Sequence, residues 1–244
     1  ATAHSQHCDQ ICKAANAGKH VFVEKPLALT FDEARRAIDT CNTQGVTLAV
    51  GFNRRFLPAF QQLYDAKTAG TLGAPLHIDA NFSGPFGYQY NADMWRGSVS
   101  ENPAGGMAAM GIHMLDAMIH LLGPVENVST LSRQLAIEVP LDDTTNVQLS
   151  FQCGATGSLT TLMATHSIWR LQLFGSAGWG VMKDQQNLEL ALIDKEPRVI
   201  YHDHNDTLAA ELAAFAECAR GHGTFPVKHQ EALAGVAAME AITR

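Results

Sequence analysis

The chain has 244 residues, 46% of them apolar and 17% charged, and a formal net charge of −7. Such a chain buries a real core, as one large domain or two small ones, and is not a disordered polymer. The acidic balance, with no basic cluster beyond Arg35-Arg36 or Arg54-Arg55, excludes nucleic acid as a general partner, and no apolar run approaches the about 18 residues of a membrane span.

In chain order, "HSQHCDQICKAANAGKH" (4–20) predicts a helix closed by Gly18. "HVFVEK" (20–25) predicts a strand. "LTFDEARRAIDTCNTQG" (29–45) predicts a second helix, with Thr30 as N-cap, Glu33 completing a capping box and Gly45 ending it. "VTLAVGF" (46–52) is a further strand, nearly all apolar. Helix, strand, helix, strand with buried apolar strands is the tail of a doubly wound parallel sheet. Two such strands cannot bury both faces by themselves, and no GxGxxG occurs in the chain.

The texture changes after about residue 52. "RFLPAFQQLYDAKTAG" (55–70) predicts a helix and "PLHIDANFSG" (75–84) an alternating strand. A Gly/Asn/Pro-rich loop, 83–106, carries Trp95-Arg96, and "MAAMGIHMLDAMIHLLG" (107–123) predicts a helix. Strand character follows at 126–138, 144–152, 156–164, 168–174, 178–182, 187–193 and 197–202, joined by short turns, as in a large antiparallel sheet. Helices at 207–220 and 229–243 close the chain. The fold expected is a doubly wound remnant over 1–52, then an α+β domain with a large, mostly antiparallel open sheet over 53–244.

The five cysteines, Cys8, Cys12, Cys41, Cys153 and Cys218, are odd in number and form no CxxC. They are expected as free thiols of a reducing, cytoplasmic setting, with an export signal on an upstream segment as the alternative. "YHDHND" (201–206) lacks further ligands and is expected as a polar turn rather than a metal site. Asp142-Asp143 are expected to begin a strand.

Glu24-Lys25-Pro26 puts two opposite charges and a proline at the end of a strand. Taken alone, such a lysine is a solvated charge. In open parallel sheets, however, ligands sit outside the carboxyl ends of the strands. Pro26 cannot extend the ladder and admits a cis bond, which would aim the Lys25 ammonium. An ammonium fixed there can hydrogen-bond a substrate hydroxyl and favour a developing alkoxide.

Together, "AGKHVFVEKPLA" (17–28), "GFNRRF" (51–56), "WR" (95–96), "NPAGG" (102–106) and "GIHMLD" (111–116) resemble the Gfo/Idh/MocA family of NAD(P)-dependent sugar and polyol oxidoreductases. The likeness runs over essentially the whole chain. It implies a Rossmann domain of which 1–52 is the C-terminal part, a cofactor that is NAD or NADP, and a small-molecule sugar or polyol substrate. The family pattern begins with a further segment holding the first strands, the Gly-rich phosphate loop and the acidic residue for the ribose; this chain is expected to lack that segment. "ATAHSQH" resembles the loop after the fourth Rossmann strand, with Ala3 where a proline is usual.

The resemblance also distributes roles. Lys25 and His113 become the catalytic pair, His113 as general base with a pKa near neutral. His4, His7, Glu24, Lys25, Pro26 and Arg54 fall near the cofactor. Trp95, Arg96 and His113 fall near the substrate. No metal is implied. Relatives carry an aspartate one turn before the histidine, where this chain has Ala109. Asp116 and His120 are expected to be structural, and Tyr88 and Tyr90 are weaker candidates for a sugar hydroxyl. Homodimers or homotetramers through the C-terminal sheet are expected. The expected reaction is hydride transfer between nicotinamide and a secondary alcohol. The alternatives are transient oxidation serving glycoside cleavage or epimerisation, and a non-catalytic remnant that acts as a dimerisation module.

Overall fold

The computed structural model describes residues 2–244. Helix α1 (His7–Asn16) follows a 3-10 turn, His4–Gln6, and leads into strand β1 (Val21–Glu24). Helix α2 (Phe31–Thr43) and strand β2 (Leu48–Gly51) come next. The two strands pair in parallel, from Val21 opposite Leu48 to Glu24 opposite Gly51. Thr30 caps α2 by accepting from the Glu33 N–H at 3.3 Å, and Gly18 and Gly45 take the left-handed conformation that ends each helix. Apolar stripes on α1 (Cys8, Ile11, Ala15) and α2 (Ala34, Ala37, Ile38, Cys41) meet over this small sheet.

A 3-10 turn, Asn53–Phe56, carries the chain into α3 (Pro58–Thr68) and β3 (Pro75–Ser83). The helix expected from Arg55 therefore begins at Pro58, whose fixed φ suits a first helical position. Then come α4 (Ile112–Leu122) and the strands β4 (Val125–Arg133), β5 (Thr144–Phe151), β6 (Thr156–Leu162), β7 (Ile168–Gly175), β8 (Gly178–Met182), β9 (Asn187–Leu192) and β10 (Arg198–Tyr201). The large sheet has the order β10-β9-β8-β7-β3-β6-β5-β4, and only the β3–β6 pair is parallel. The last helices, α5 (Thr207–Ala219) and α6 (His229–Ile242), return to the small sheet. Phe215 of α5 meets Phe22 of β1 at 5.6 Å, and the Phe31 N–H at the head of α2 donates to Glu240 of α6 at 3.0 Å. One hydrophobic core runs through both sheets.

Two expected elements differ. The strand expected over 126–138 stops at Arg133, because the N–H groups of Leu135, Ala136 and Ile137 donate instead to the Asp143 carboxylate at 2.9, 2.6 and 3.0 Å. Backbone donors consumed by one carboxylate cannot feed a ladder. The helix expected from Met107 opens with a π-helical turn, Met107–Gly111, before α4 proper. The 83–106 loop is pinned upstream of that turn. Gly105 has φ 51°, and a Cβ there would lie 1.7 Å from the Asp142 carbonyl oxygen, so only glycine fits.

One face of the large sheet is covered by α3, α4 and α6. The other presents His77, Asp79, Asn81, Ser158 and Thr160 along β3 and β6, half-buried and polar. No helix among the described residues is long and apolar enough to cross a membrane.

The buried charges fall into two kinds. Arg55, 4% exposed, makes a two-pronged bond to Asp116 at 2.6 and 2.8 Å and reaches Glu231 at 3.0 Å. His120 joins Glu231 at 3.0 Å and stacks on Tyr64 at 4.2 Å. This network ties the 53–56 turn to α4 and α6. Burial works to raise the Glu231 carboxyl, but the His120 hydrogen bond and the Arg55 charge outweigh it and hold it at about 2. Glu211, on α5, is 2% exposed and its Oε2 is buried without a partner. Burial and the nearby Glu24 push its carboxyl up to about 7, against the pull of Arg54.

Removing Asp116 strands the buried guanidinium. Asp116→Ala is expected to cost about 3 to 5 kcal/mol in urea unfolding at pH 7. Glu211 predicts the opposite sign. Its folded value, about 7, exceeds the unfolded 4.5, so the native state holds the extra proton between them and stability falls as pH rises through that window. Glu211→Gln is therefore expected to match the parent near pH 4.5 and to exceed it by about 2 kcal/mol above pH 7.5, read by urea midpoints at the two pH values.

Candidate active site

A cavity of about 350 Å³ opens at the carboxyl end of β1, lined by His4, His7, Glu24, Lys25, Trp95, Arg96, Thr2, Asn102 and Ala109. The strand delivers Glu24 to the rim, exposed, and the chain turns through a cis Lys25-Pro26 bond. Lys25 Nζ donates to the Ala109 carbonyl at 2.7 Å and to Ala108 at 3.4 Å. The ammonium thus joins the end of the small sheet to the π turn that starts the α4 helix. Burial lowers its pKa to about 8; Glu24 opposes the shift, while the Arg96 and Arg54 charges add to it.

The 3-10 turn and first turn of α1 supply two buried imidazoles. His7 Nδ1 lies 2.7 Å from the Pro26 carbonyl, and His4 Nδ1 lies 2.7 Å from the Glu101 carbonyl. The rings meet edge-on, with centroids 5.7 Å apart. A carbonyl only accepts, so each ring carries a proton on Nδ1. Burial brings His4 down to about 4, and the Lys25 charge adds to that, so this ring is neutral at neutral pH.

The 83–106 loop is the opposite wall. Trp95 meets His4 edge-on at 4.9 Å, and the Arg96 guanidinium lies over the Trp95 ring at 4.1 Å. Asn102, 2% exposed, holds the Arg96 carbonyl at 2.7 Å. Glu101 clasps the far side, accepting from Ser5 N–H at 3.0 Å and from Ser5 Oγ at 2.5 Å. The loop is therefore strapped to the head of α1 across the cavity mouth.

His113, half-buried on α4, is not among the residues that line this cavity. Its ring packs edge-on to Phe52 at 6.2 Å and tilted to Phe82 at 6.3 Å, and its Nδ1 is buried without a partner. Burial, with the Lys25 and Arg54 charges, drives its pKa well below 6.5. Ala109, one turn earlier, offers a methyl group to the cavity, so no carboxylate stands there to offset these effects. Arg54 is half-buried beside this group, and its Nε lacks a partner. Pro26 is buried and serves through its carbonyl.

Other candidates lie elsewhere. Tyr88 is exposed, and Tyr90 packs on a small cluster of Ile137, Val139 and Leu141. In 201–206, His202 bonds Gln62 at 2.8 Å, Asn205 bonds the Phe56 carbonyl at 3.0 Å, and Asp206 caps α5. Cys153 is exposed, while Cys8 and Cys41 are buried thiols. Sequence reasoning missed Glu101 and Glu211. The second had a signal: it is a lone charge within the apolar run "TLAAELAAF".

Two family models match this chain. The description "GFO/IDH/MocA C-terminal domain" covers residues 60–181, half the chain, and "Oxidoreductase family, NAD-binding Rossmann fold" covers 1–52. Among curated relatives, the oxidoreductase YrbE of Bacillus subtilis (strain 168) is 27% identical over 86% of this chain and 64% of its own length. The scyllo-inositol 2-dehydrogenase (NAD(+)) of the same organism is 29% identical over 91% of this chain and 67% of its own. The chain thus spans between about half and two thirds of the length of the curated relatives it matches first. A solved levoglucosan dehydrogenase, in complex with NADH and levoglucosan, superimposes with a TM-score of 0.89 at 21% identity, covering 99% of this chain and 75% of its own. The strand-end lysine, the helix that receives it and the broad mixed sheet are thus parts of a known architecture, and the chain belongs to the Gfo/Idh/MocA family.

Proposed function

We propose that this chain forms the greater part of an NAD(P)-dependent oxidoreductase that moves a hydride between nicotinamide and a secondary alcohol of a sugar, polyol or inositol-like substrate. One observation carries the reading: a lysine ammonium with a lowered pKa is anchored between a strand end and a helix turn, on the wall of a cavity of about 350 Å³. The family membership and the inositol dehydrogenase among the relatives support the same chemistry.

The residues present fit the nicotinamide end of such a cofactor. His4, His7, Glu24, Lys25 and Pro26 gather at the carboxyl end of a parallel strand, where dinucleotides bind in this fold class. The Nε of Arg54 and the Nδ1 of His113 remain unpartnered nearby, as polar groups awaiting a ligand do. No Gly-rich phosphate loop lies among the described residues. When bound, the nicotinamide supplies the hydride acceptor. The chain supplies the rest. Lys25 donates a hydrogen bond to the reacting oxygen and stabilises it as an alkoxide. Trp95 presents an aromatic wall for the C–H face of a sugar. His113, one turn after Ala109 and neutral, takes the hydroxyl proton as general base. A homo-oligomer through the polar face of the large sheet belongs to the same reading.

The Lys25 value fixes the sign of the pH dependence. Its folded pKa is lowered to about 8, so the donor is present below that pH and lost above it. Alcohol oxidation is expected to fall along a basic limb near pH 8, and Lys25→Arg is expected to move that limb upward. Lys25→Ala is expected to cost about 100-fold or more in kcat with the fold retained, assayed with inositols and aldoses and either nicotinamide dinucleotide. Unchanged turnover in Lys25→Ala overturns the reading.

A further inference from the structure

We propose that residues 91–102 form a lid over the cavity and that Glu101 is the latch that holds it closed. The inference rests on the oxidoreductase reading above and adds a positioning residue to it.

The lid is a small lobe hung between two fixed points. Upstream, the Gly84 N–H donates to the Leu162 carbonyl at 2.9 Å and the Gly87 N–H to the Met163 carbonyl at 2.8 Å, so the chain before the lobe is tied to the end of β6. Downstream, Gly105 sits against the Asp142 carbonyl, and the Ala104 carbonyl accepts from Thr145 Oγ1 at 3.3 Å. Ala104 and Gly105 are both left-handed, with φ of 52° and 51°, so the chain turns sharply there.

Between these points the lobe bonds to itself. The Met94 N–H reaches the Asn91 carbonyl at 3.2 Å, the Gly97 N–H reaches the Met94 carbonyl at 2.8 Å, and the Asn102 N–H reaches the Ser98 carbonyl at 2.9 Å. The Asn102 side chain holds the Arg96 carbonyl at 2.7 Å. A segment whose polar groups are met internally can swing as one body without breaking those bonds.

One residue ties the lobe to the far side of the cavity. Glu101 accepts from the Ser5 N–H at 3.0 Å and from Ser5 Oγ at 2.5 Å, and its carbonyl lies 2.7 Å from His4 Nδ1. Apart from the turn bond from the Gly105 N–H to the Asn102 carbonyl, at 3.1 Å, no other hydrogen bond among the described residues leaves the lobe. A carboxylate is a strong acceptor, and Ser5 is exposed, so water competes for the same bonds. The tie is firm enough to hold the lobe and open enough to release it.

The lobe carries Trp95 and Arg96, which line the cavity, whereas Glu101 does not line it. Closed, the lid sets the Trp95 ring against the substrate and keeps water from the hydride path. Open, it lets the substrate in. Glu101 acts through Trp95 and Arg96, so its loss weakens the hold on the sugar more than the chemical step.

The test is Glu101→Ala. With myo-inositol and NAD, the KM for myo-inositol is expected to rise about tenfold and kcat to stay within about threefold of the parent. A rise in KM of less than about threefold, or a loss carried by kcat, overturns the proposal. Hydrogen exchange read by peptide mass spectrometry needs no turnover. Amides of 91–102 are expected to exchange about tenfold faster in Glu101→Ala, while 84–90 and 104–111 keep the parent's rates. Unchanged rates in 91–102, or a rise spread evenly over 84–111, overturns the proposal. Ser5→Ala removes the hydroxyl side of the clasp and serves if Glu101→Ala does not fold: faster exchange confined to 91–102 supports the latch, and unchanged exchange overturns it. If the unmodified chain oxidises no alcohol, the oxidoreductase reading is what fails, and the exchange rates alone then decide whether Glu101 latches the lobe.

Discussion

The bond from Lys25 to the carbonyl of Ala109, 2.7 Å long, is the joint on which the site depends. It spans 84 residues of sequence and links the small parallel sheet to the helix that rises from the 83–106 loop. A longer bond from the same ammonium to the Ala108 carbonyl, at 3.4 Å, supports it. A backbone carbonyl is a modest partner for a half-buried ammonium. It gives hydrogen bonding but no full counter-charge, so the lysine keeps a lowered pKa and remains available to a ligand oxygen. A carboxylate in the same place would hold the charge more firmly and present the ligand with a salt bridge to break.

Arg54 and Arg55 illustrate how adjacent residues meet opposite fates. The 53–56 turn sends Arg55 inward, where Asp116 and Glu231 satisfy it, and leaves Arg54 beside the buried, unpaired carboxyl of Glu211. Arg55, which faces the interior, is a structural rivet. The other belongs to the electrostatics of the site: its charge is felt at Lys25, His113 and Glu211. Paired charge holds the helices together, and unpaired charge is kept where a ligand can use it.

Most of the element order was legible. Periodicity and caps located the helices, Thr30 and the glycines marked their ends, and alternation located the strands to within a few residues. The turn at Glu24-Lys25-Pro26 announced itself by a proline after a strand. What stayed hidden depends on contacts distant in sequence or on backbone detail without a residue code. Nothing in "MAAMG" distinguishes a π turn from an α turn. The Asp143 carboxylate ends β4 early by capturing three amides, which periodicity cannot foresee. Which arginine of "RR" turns inward is decided by α4 and α6.

Trp95 has one more consequence. Of the three tryptophans, Trp169 and Trp179 sit in neighbouring strands of the large sheet, and only Trp95 borders the cavity, between a guanidinium and an imidazole. Its emission is thus an optical gauge built into the site. Replacing the two sheet indoles with phenylalanine would leave a single fluorophore whose brightness and colour follow whatever enters beside it, without any attached dye.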